Sequence, residues 1–426
     1  MMVQTPTVQT RLTRREFLGS AALLPLAAAA AQTNAAPVRI AIITTVYKYL
    51  SHGQHIGDRF LIGYPHAGAW HKPNVQVVSL YVDQKPADDL SAQRAKEFGF
   101  RVYPTIAETL CRGGKQIACD AVLIVAEHGE YPDNAKGQKL YPRYEFFEEC
   151  LKVFKSSGRA VPVYNDKHLS YSFQKARDMV AASKSMHFPM LGGSSLPVTW
   201  RLPDIEMPLR ARIEEAVMVG EGGSDAMDFH ALEGMQCMLE RRKGGETGVR
   251  AVQMLTGDEV WKAGARGVWS KELLRSALSR SDTPLGLSLQ DGRTQDLTDK
   301  GVLASLVPHP AAYVIEYQDG VRATMLMLDG AIRDFNFAAQ VSGHGILSTQ
   351  FLLTPVPNVT YSACLVAKIE EMFLTGRAPY PIERTLLTSG MLESCLDSKQ
   401  QNSRRLETPH LAVAYQPPEQ SQYCRS

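Results

Sequence analysis

Four histidines, His52, His55, His66 and His71, fall within twenty residues of one another. His52 and His55 sit three apart, on one face if the segment is helical, with Asp58 and Arg59 a turn further on. Two imidazoles and a carboxylate can hold zinc or another divalent ion, which would make a metal-dependent activity at His52 and His55. The spacing matches none of the strong metal motifs, and the plainer reading is a polar helix face lining a cleft. Glu127 and His128 close the apolar run CDAVLIVAE, and strand ends are where α/β clefts carry functional side chains. Lys167 and His168 follow RAVPVYND in the same way. Trp200 and Arg201 come after GGSSLPV. An indole stacks on sugar faces and a guanidinium donates to hydroxyls, although a packed tryptophan beside a surface arginine reads equally well. His128, His168, Trp200 and Arg201 are therefore the candidate substrate contacts.

The elements around these residues follow two rhythms. From 38 to 163, apolar runs alternate with helical periods. VRIAIITT, NVQVVSLYVD, CDAVLIVAE and RAVPVYND read as strands; LSAQRAKEFG, a short stretch after Thr105 and YPRYEFFEECLKVFKSSG read as helices. Such alternation implies crossover units and a parallel, doubly wound sheet. Beyond 166 come a helix at SYSFQKARDMVAASK, a strand and loop at FPMLGGSSLPVTWRLP, and a long helix over 227–245. AAYVIEYQDG, VRATMLMLDG and DFNFAAQVSG then alternate in the manner of an antiparallel meander. Helices near 361–375 and 381–397 follow, and a polar tail from 398 reads as loosely ordered. The expected architecture is α/β: a Rossmann-like parallel domain over 37–165, then an α+β domain with an open antiparallel sheet over 166–397. Sites in such pairs lie in the cleft between the two.

The first 36 residues are different. TRREFLGSAALLPLAAAAA carries Arg14 and Arg15 ahead of a mildly apolar run with small residues near Ala31. This is the layout of a twin-arginine export signal, too short and weak for a membrane span. The expectation is passage through the twin-arginine machinery to a periplasmic or extracellular location. Forty-six basic against 44 acidic residues leave a formal charge of +2, a balance that calls for no nucleic acid. Seven scattered cysteines contain no C-x-x-C pair, so no zinc ribbon is written here; an exported chain could oxidise some of them, leaving at least one free.

Several stretches resemble the glucose–fructose oxidoreductase and myo-inositol dehydrogenase family: AKEFGFRVYPTIAETL, CDAVLIVAEHGEY, GRAVPVYNDKHLSYSFQKARDMVAAS, GGSDAMDFHALEGM and FLTGRAPYPIERTLLTSGMLESCLDS. The likeness spans most of 38–400. It implies a Rossmann domain joined to an open sheet domain, NAD(P)-dependent oxidation or reduction of a sugar or polyol alcohol, and often assembly of copies through the open sheet. The family's Glu-Lys-Pro position reads Asp166-Lys167-His168, its histidine falls on His230, and its acidic residue three positions later on Glu233. The resemblance makes these catalytic: Lys167 favours the alkoxide, and His230 takes the hydroxyl proton. The family's aspartate four before the histidine is Ala226 here, with Asp225 and Asp228 on either side.

The cofactor loop departs furthest. G-x-G-x-x-G works because bare backbone approaches a pyrophosphate at a helix N-terminus. Here the turn offers Thr44, Thr45, Val46 and Tyr47, and Gly53 and Gly57 come late with the wrong spacing. Asp83 closes the second strand where a ribose 2′-OH partner belongs, which would favour NAD, though an aspartate there is also a common turn residue. Thr44, Thr45, Asp83, Glu127 and Asp166 are the positions expected to touch a tightly held NAD(P). A sugar- or polyol-binding protein that has kept the fold and lost the dinucleotide is the alternative.

Overall fold

The computed structural model describes residues 36–223, 225–286, 295–299 and 301–425. The twin-arginine segment lies outside them. Strand β1 (Val38–Thr44) leads into the helix His52–Ile62 and a hairpin of β2 (Tyr64–His66) and β3 (Ala69–His71). Then come β4 (Val75–Val82), β5 (Arg101–Val102), β6 (Ala121–Val125), β7 (Val163–Asp166) and β8 (Met190–Gly193), with helices between them.

Six of these strands form one sheet in the order β5-β4-β1-β6-β7-β8, every pair parallel. With the hairpin set aside, this is the doubly wound order 3-2-1-4-5-6. The continuous apolar runs of β1 and β6 are what a strand buried on both faces requires, and β6 is buried at all five positions. Because β8 still belongs to this sheet, the parallel layer runs on past Asp166 to Gly193. The order reverses between β1 and β6, so the crevice lies at the carboxyl ends of β1, β6, β7 and β8.

The second sheet takes in β9 (Arg201–Leu202), β10 (Ile213–Gly220), β11 (Val249–Thr256), β12 (Ala311–Tyr317), β13 (Arg322–Met327), β14 (Phe335–Val341), β15 (Gly345–Phe351) and β16 (Leu406–Glu407). Its order is β16-β11-β12-β13-β10-β14-β15-β9. The expected three-strand meander is therefore interrupted. β12 and β13 pair as a hairpin, but β10 lies between β13 and β14, parallel to the first and antiparallel to the second.

Alternation along the strands splits the side chains between two cores. Ala216, Met218, Tyr313, Met325 and Phe337 face the helix Asp225–Leu239 and the parallel domain. Val217, Val219, Val314, Leu326 and Ala338 face outwards, against Val260, Trp269, Leu273 and Leu274 of the helices Asp258–Ala265 and Lys271–Leu278 and the loop between them. The sheet is thus open at its edges but covered on this face by the chain's own helices, and the assembly of copies expected through that face meets them first.

The stretch after residue 400, expected to be loose, packs instead. β16 pairs with β11, Tyr415 is buried, and Tyr423 lies over the Arg201 guanidinium at 3.9 Å.

Candidate active site

The carboxyl edge of the parallel sheet carries a buried polar cluster. Two of its residues hold left-handed backbone, His128 after β6 (φ 69°) and Lys167 after β7 (φ 54°). Neither is glycine, and such conformations cost on the order of 1–3 kcal/mol each unless the surroundings impose them. At Lys167 they do: its N–H donates to the Gly193 carbonyl at 3.2 Å, and its ammonium donates to Glu127 Oε1 at 3.0 Å.

Glu127 is shared. Arg143, 1% exposed at the start of the helix Arg143–Ser157, donates to its other oxygen. Burial alone would push the Glu127 carboxyl up, but the charges of Lys167 and Arg143 hold it well below the usual carboxylate range. Arg143 also lies 3.5 Å from the His168 ring, and His168 Nε2 donates to Asp225 Oδ2 at 2.9 Å. Lys167 and His168 therefore fan out from adjacent positions to carboxylates on different elements.

A second group faces the first. His52, in the first turn of its helix, meets Asp166 Oδ2 through Nδ1 at 2.6 Å, and the Tyr164 hydroxyl donates to Asp166 Oδ1 at 3.3 Å. The His52 ring lies 4.9 Å from His55 and 5.1 Å from His128. Burial, with the neighbouring imidazoles, pushes His55 down to about 2 and His128 to about 4. Both stay neutral at pH 7. Among the described residues no group of three or more His, Cys, Asp or Glu side chains is arranged to hold a metal ion, so the metal reading of His52 and His55 finds no centre.

His230 completes the cluster. Its Nδ1 meets Ser194 Oγ at 2.5 Å, and burial, then the Lys167 charge, then His52 hold it well below its ordinary value. Glu233 does not reach the imidazole through a direct bond. It accepts from the Ser194 N–H at 2.5 Å and from Thr385 Oγ1 at 2.7 Å, and burial raises it to about 7. It fixes the loop that fixes His230. Gly193 is obligatory there: φ is +107°, and a Cβ would stand 2.4 Å from the Glu233 carboxyl.

His52, His55, Asp166, Ser194, His230 and Tyr361 enclose a cavity of only about 10 Å³, room for about one water or hydroxyl oxygen. On the other side of Asp225, a cavity of about 500 Å³ is lined by Asp225, Asp228, Thr256, His309, Tyr313 and Lys399. Burial raises Asp228 to about 6, and Tyr313 donates to it at 2.5 Å.

The structure thus brings together Lys167, His230, His128, His168, Glu127, Asp166 and, through Ser194, Glu233. It does not bring in Trp200 or Arg201. Trp200 lines a separate cavity with Leu202, Leu352 and Thr354. Arg201 lies between Phe351 and Tyr423, donates to the Ile205 carbonyl, and lines that separate cavity beside Trp200. Arg143 and Ser194 belong to the cluster without being among the sequence candidates, and Asp225, which flanks the family's aspartate position, enters it through His168. The available signal was Arg143 beside the aromatic run Tyr144-Glu145-Phe146-Phe147, where a charge on the buried side of a helix must find a partner.

The turn after β1 does not fit a dinucleotide in the form it has. Thr44 Oγ1 lies 2.9 Å from the Val125 carbonyl, and Thr45 Oγ1 donates to the Glu127 carbonyl at 2.7 Å. The N-terminal N–H groups that would face a pyrophosphate are engaged: Gln54 N–H by Ser51 Oγ, and His52 N–H by His128 Nδ1. Tyr47 is buried, its hydroxyl donating to Asp58 at 2.9 Å. A Cβ at Gly57 would stand 2.7 Å from that hydroxyl, and one at Gly53 2.3 Å from Thr44 Oγ1. The two late glycines serve close packing of the helix on the turn. Gly129 and Tyr131 lie across Val46 and Gln84, and Asp83 accepts from the Tyr81 and Tyr131 hydroxyls at 2.7 Å each. All five expected cofactor contacts already have protein partners.

No sequence-family model and no curated protein matches the chain. Solved structures do match in fold. GenD2 from gentamicin A biosynthesis, in complex with NAD, aligns over 88% of this chain and 97% of its own at 13% identity and TM-score 0.54. Myo-inositol dehydrogenase from Lactobacillus casei, in complex with NAD(H) and myo-inositol, aligns over 90% and 100% at 12% identity and TM-score 0.51. Myo-inositol dehydrogenase from Corynebacterium glutamicum aligns over 87% and 98% at 11% identity and TM-score 0.50. This chain has the two-domain fold of these three structures.

Proposed function

We propose that this chain is a divergent member of the glucose–fructose oxidoreductase and myo-inositol dehydrogenase family, exported by the twin-arginine route and acting on a secondary alcohol of a sugar or polyol. The observation that carries this is the placing of an ammonium and an imidazole against one loop: Lys167 N–H donates to the Gly193 carbonyl and the next residue, Ser194, meets His230 Nδ1, with the Lys167 charge helping to depress His230. A cation beside a hydroxyl favours its alkoxide, and an imidazole held neutral takes the released proton. In the tautomer whose Nδ1–H donates to Ser194 Oγ, the His230 Nε2 lone pair is the one that takes that proton. Glu127 orients Lys167 without occupying its remaining N–H groups. The cavity of about 500 Å³ beside Asp225 and Asp228 has the size of a sugar site and carboxylates to accept hydroxyl hydrogen bonds, and it neighbours the cluster through the Asp225–His168 pair, Lys167 and His230 not being among its lining residues. Such a reaction needs a hydride acceptor such as NAD, and the turn after β1 does not fit one in the form it has.

A second reading rests on that turn. Its filled space and engaged N–H groups favour a sugar- or polyol-binding protein that has closed its dinucleotide site. One experiment separates the two. The purified mature protein is denatured and the supernatant assayed for nicotinamide, and the native protein is tested against a panel of polyols and aldoses with NAD⁺ and NADP⁺. Stoichiometric NAD(P) or dinucleotide-linked turnover supports the oxidoreductase. Saturable sugar binding with neither would overturn it in favour of the second reading.

A further inference from the structure

The segment around Cys424 is held against the helix Tyr361–Thr375 by contacts that bring two cysteines into one apolar cluster. The Cys424 N–H donates to the Val198 carbonyl at 2.8 Å, and Lys368 Nζ donates to Gln422 Oε1 at 2.9 Å. Cys364 lies one turn before Lys368 on that helix. It is buried, Cys424 is half-buried, and both pack in the same apolar cluster. The two thiols are near enough to influence each other, which lowers Cys424 to about 7, helped by the Lys368 charge, and raises Cys364.

We propose that Cys364 and Cys424 form a disulfide that staples the chain end to this helix. A half-exposed thiol that ionises near neutral pH, beside a cation, is the kind that attacks first. The Cys424 thiolate displaces one thiolate from a low-molecular-weight disulfide, forming a mixed disulfide. The Cys364 thiolate then attacks the Cys424 sulfur and expels the second. Two protein thiols become one disulfide, and the oxidant becomes two thiols. The other five cysteines are buried, which directs the exchange to this pair. The staple closes a loop of about 60 residues, and loop closure of that length stabilises through the unfolded chain. It also fixes the helix that contributes Tyr361 and Leu365 to the small cavity beside His230.

The test treats the purified full-length mature protein with glutathione disulfide, then counts thiols in denaturant and maps peptides without reduction. The expected result is loss of two of seven thiols, a Cys364–Cys424 linked peptide, and a Tm higher by about 3–8 °C than in the reduced protein. C424S, at a half-buried position, should keep all six of its remaining thiols and show no Tm shift; C364S serves as the second control. Seven thiols surviving oxidation, a link between other cysteines, or a stable glutathione adduct on Cys424 with Cys364 still reduced would overturn the proposal.

Discussion

Two stretches of one sheet edge stand side by side here and have gone different ways. After β6, β7 and β8, the loops gather Glu127, His128, Asp166, Lys167 and Ser194 into a network in which charges are paired and imidazoles are kept neutral. After β1 and β4, the equivalent loops bury Tyr47, cap their own helix, and join Asp83 to two phenols. The first region stores left-handed backbone and buried charge, both costly, and offers groups that move protons. The second has strain of its own, at left-handed Leu50 (φ 61°), but commits its polar groups to the protein itself. What separates them is whether their polar groups look outward to a ligand or inward to the fold.

The largest effect expected from breaking this contrast is on rate. His230→Ala should lower turnover of whichever polyol the panel identifies by about 10²–10⁴-fold, and Lys167→Ala by about 10²–10³-fold. Tyr47→Phe, in the other region, should leave turnover within a few-fold; steady-state kinetics on the three variants is the check. Next comes stability. Glu127→Gln leaves the buried Lys167 and Arg143 without their carboxylate and should cost about 3–5 kcal/mol in urea unfolding.

A pH series sharpens the comparison further. Glu233 is raised in the folded state to about 7, so the native protein binds its proton more tightly than the unfolded chain. Its contribution is complete below the unfolded value and is lost as pH rises from about 4.5 to about 7, by on the order of 3 kcal/mol. His128, pushed down to about 4, works in the opposite sense: its penalty appears as pH falls below about 6.5. Subtracting the pH–stability curve of Glu233→Gln from that of the native protein should isolate the first slope, and a flat difference would remove Glu233 as its source. Smallest is Tyr47→Phe itself, about 1 kcal/mol, since Asp58 keeps Arg94 as a partner at 3.0 Å.

Much of the parallel domain was legible because its signals are local: unbroken apolar runs, helical periods and stopping glycines such as Gly99 and Gly158, both left-handed caps. The ends of those runs named most of the cluster. What local pattern cannot carry is order across a sheet. β10 ends at Gly220 and β13 begins only at Arg322, and nothing in either strand announces that β10 will slide between β13 and β14. Arg201 and Arg143 were hard for a related reason. An arginine sandwiched by aromatic rings and one sharing a buried glutamate look alike in sequence, since the partners arrive from distant elements. The polar tail misled because its anchors, Tyr415 and Tyr423, are single aromatic residues amid prolines and glutamines.

The helices laid over the outward face of the eight-stranded sheet have a practical consequence. Val217, Val219, Val314, Leu326 and Ala338 would otherwise form a sticky apolar plate. Trimming the segment 257–306 to make a smaller protein should therefore yield material that precipitates, while copies of the intact molecule would have to meet along some other surface.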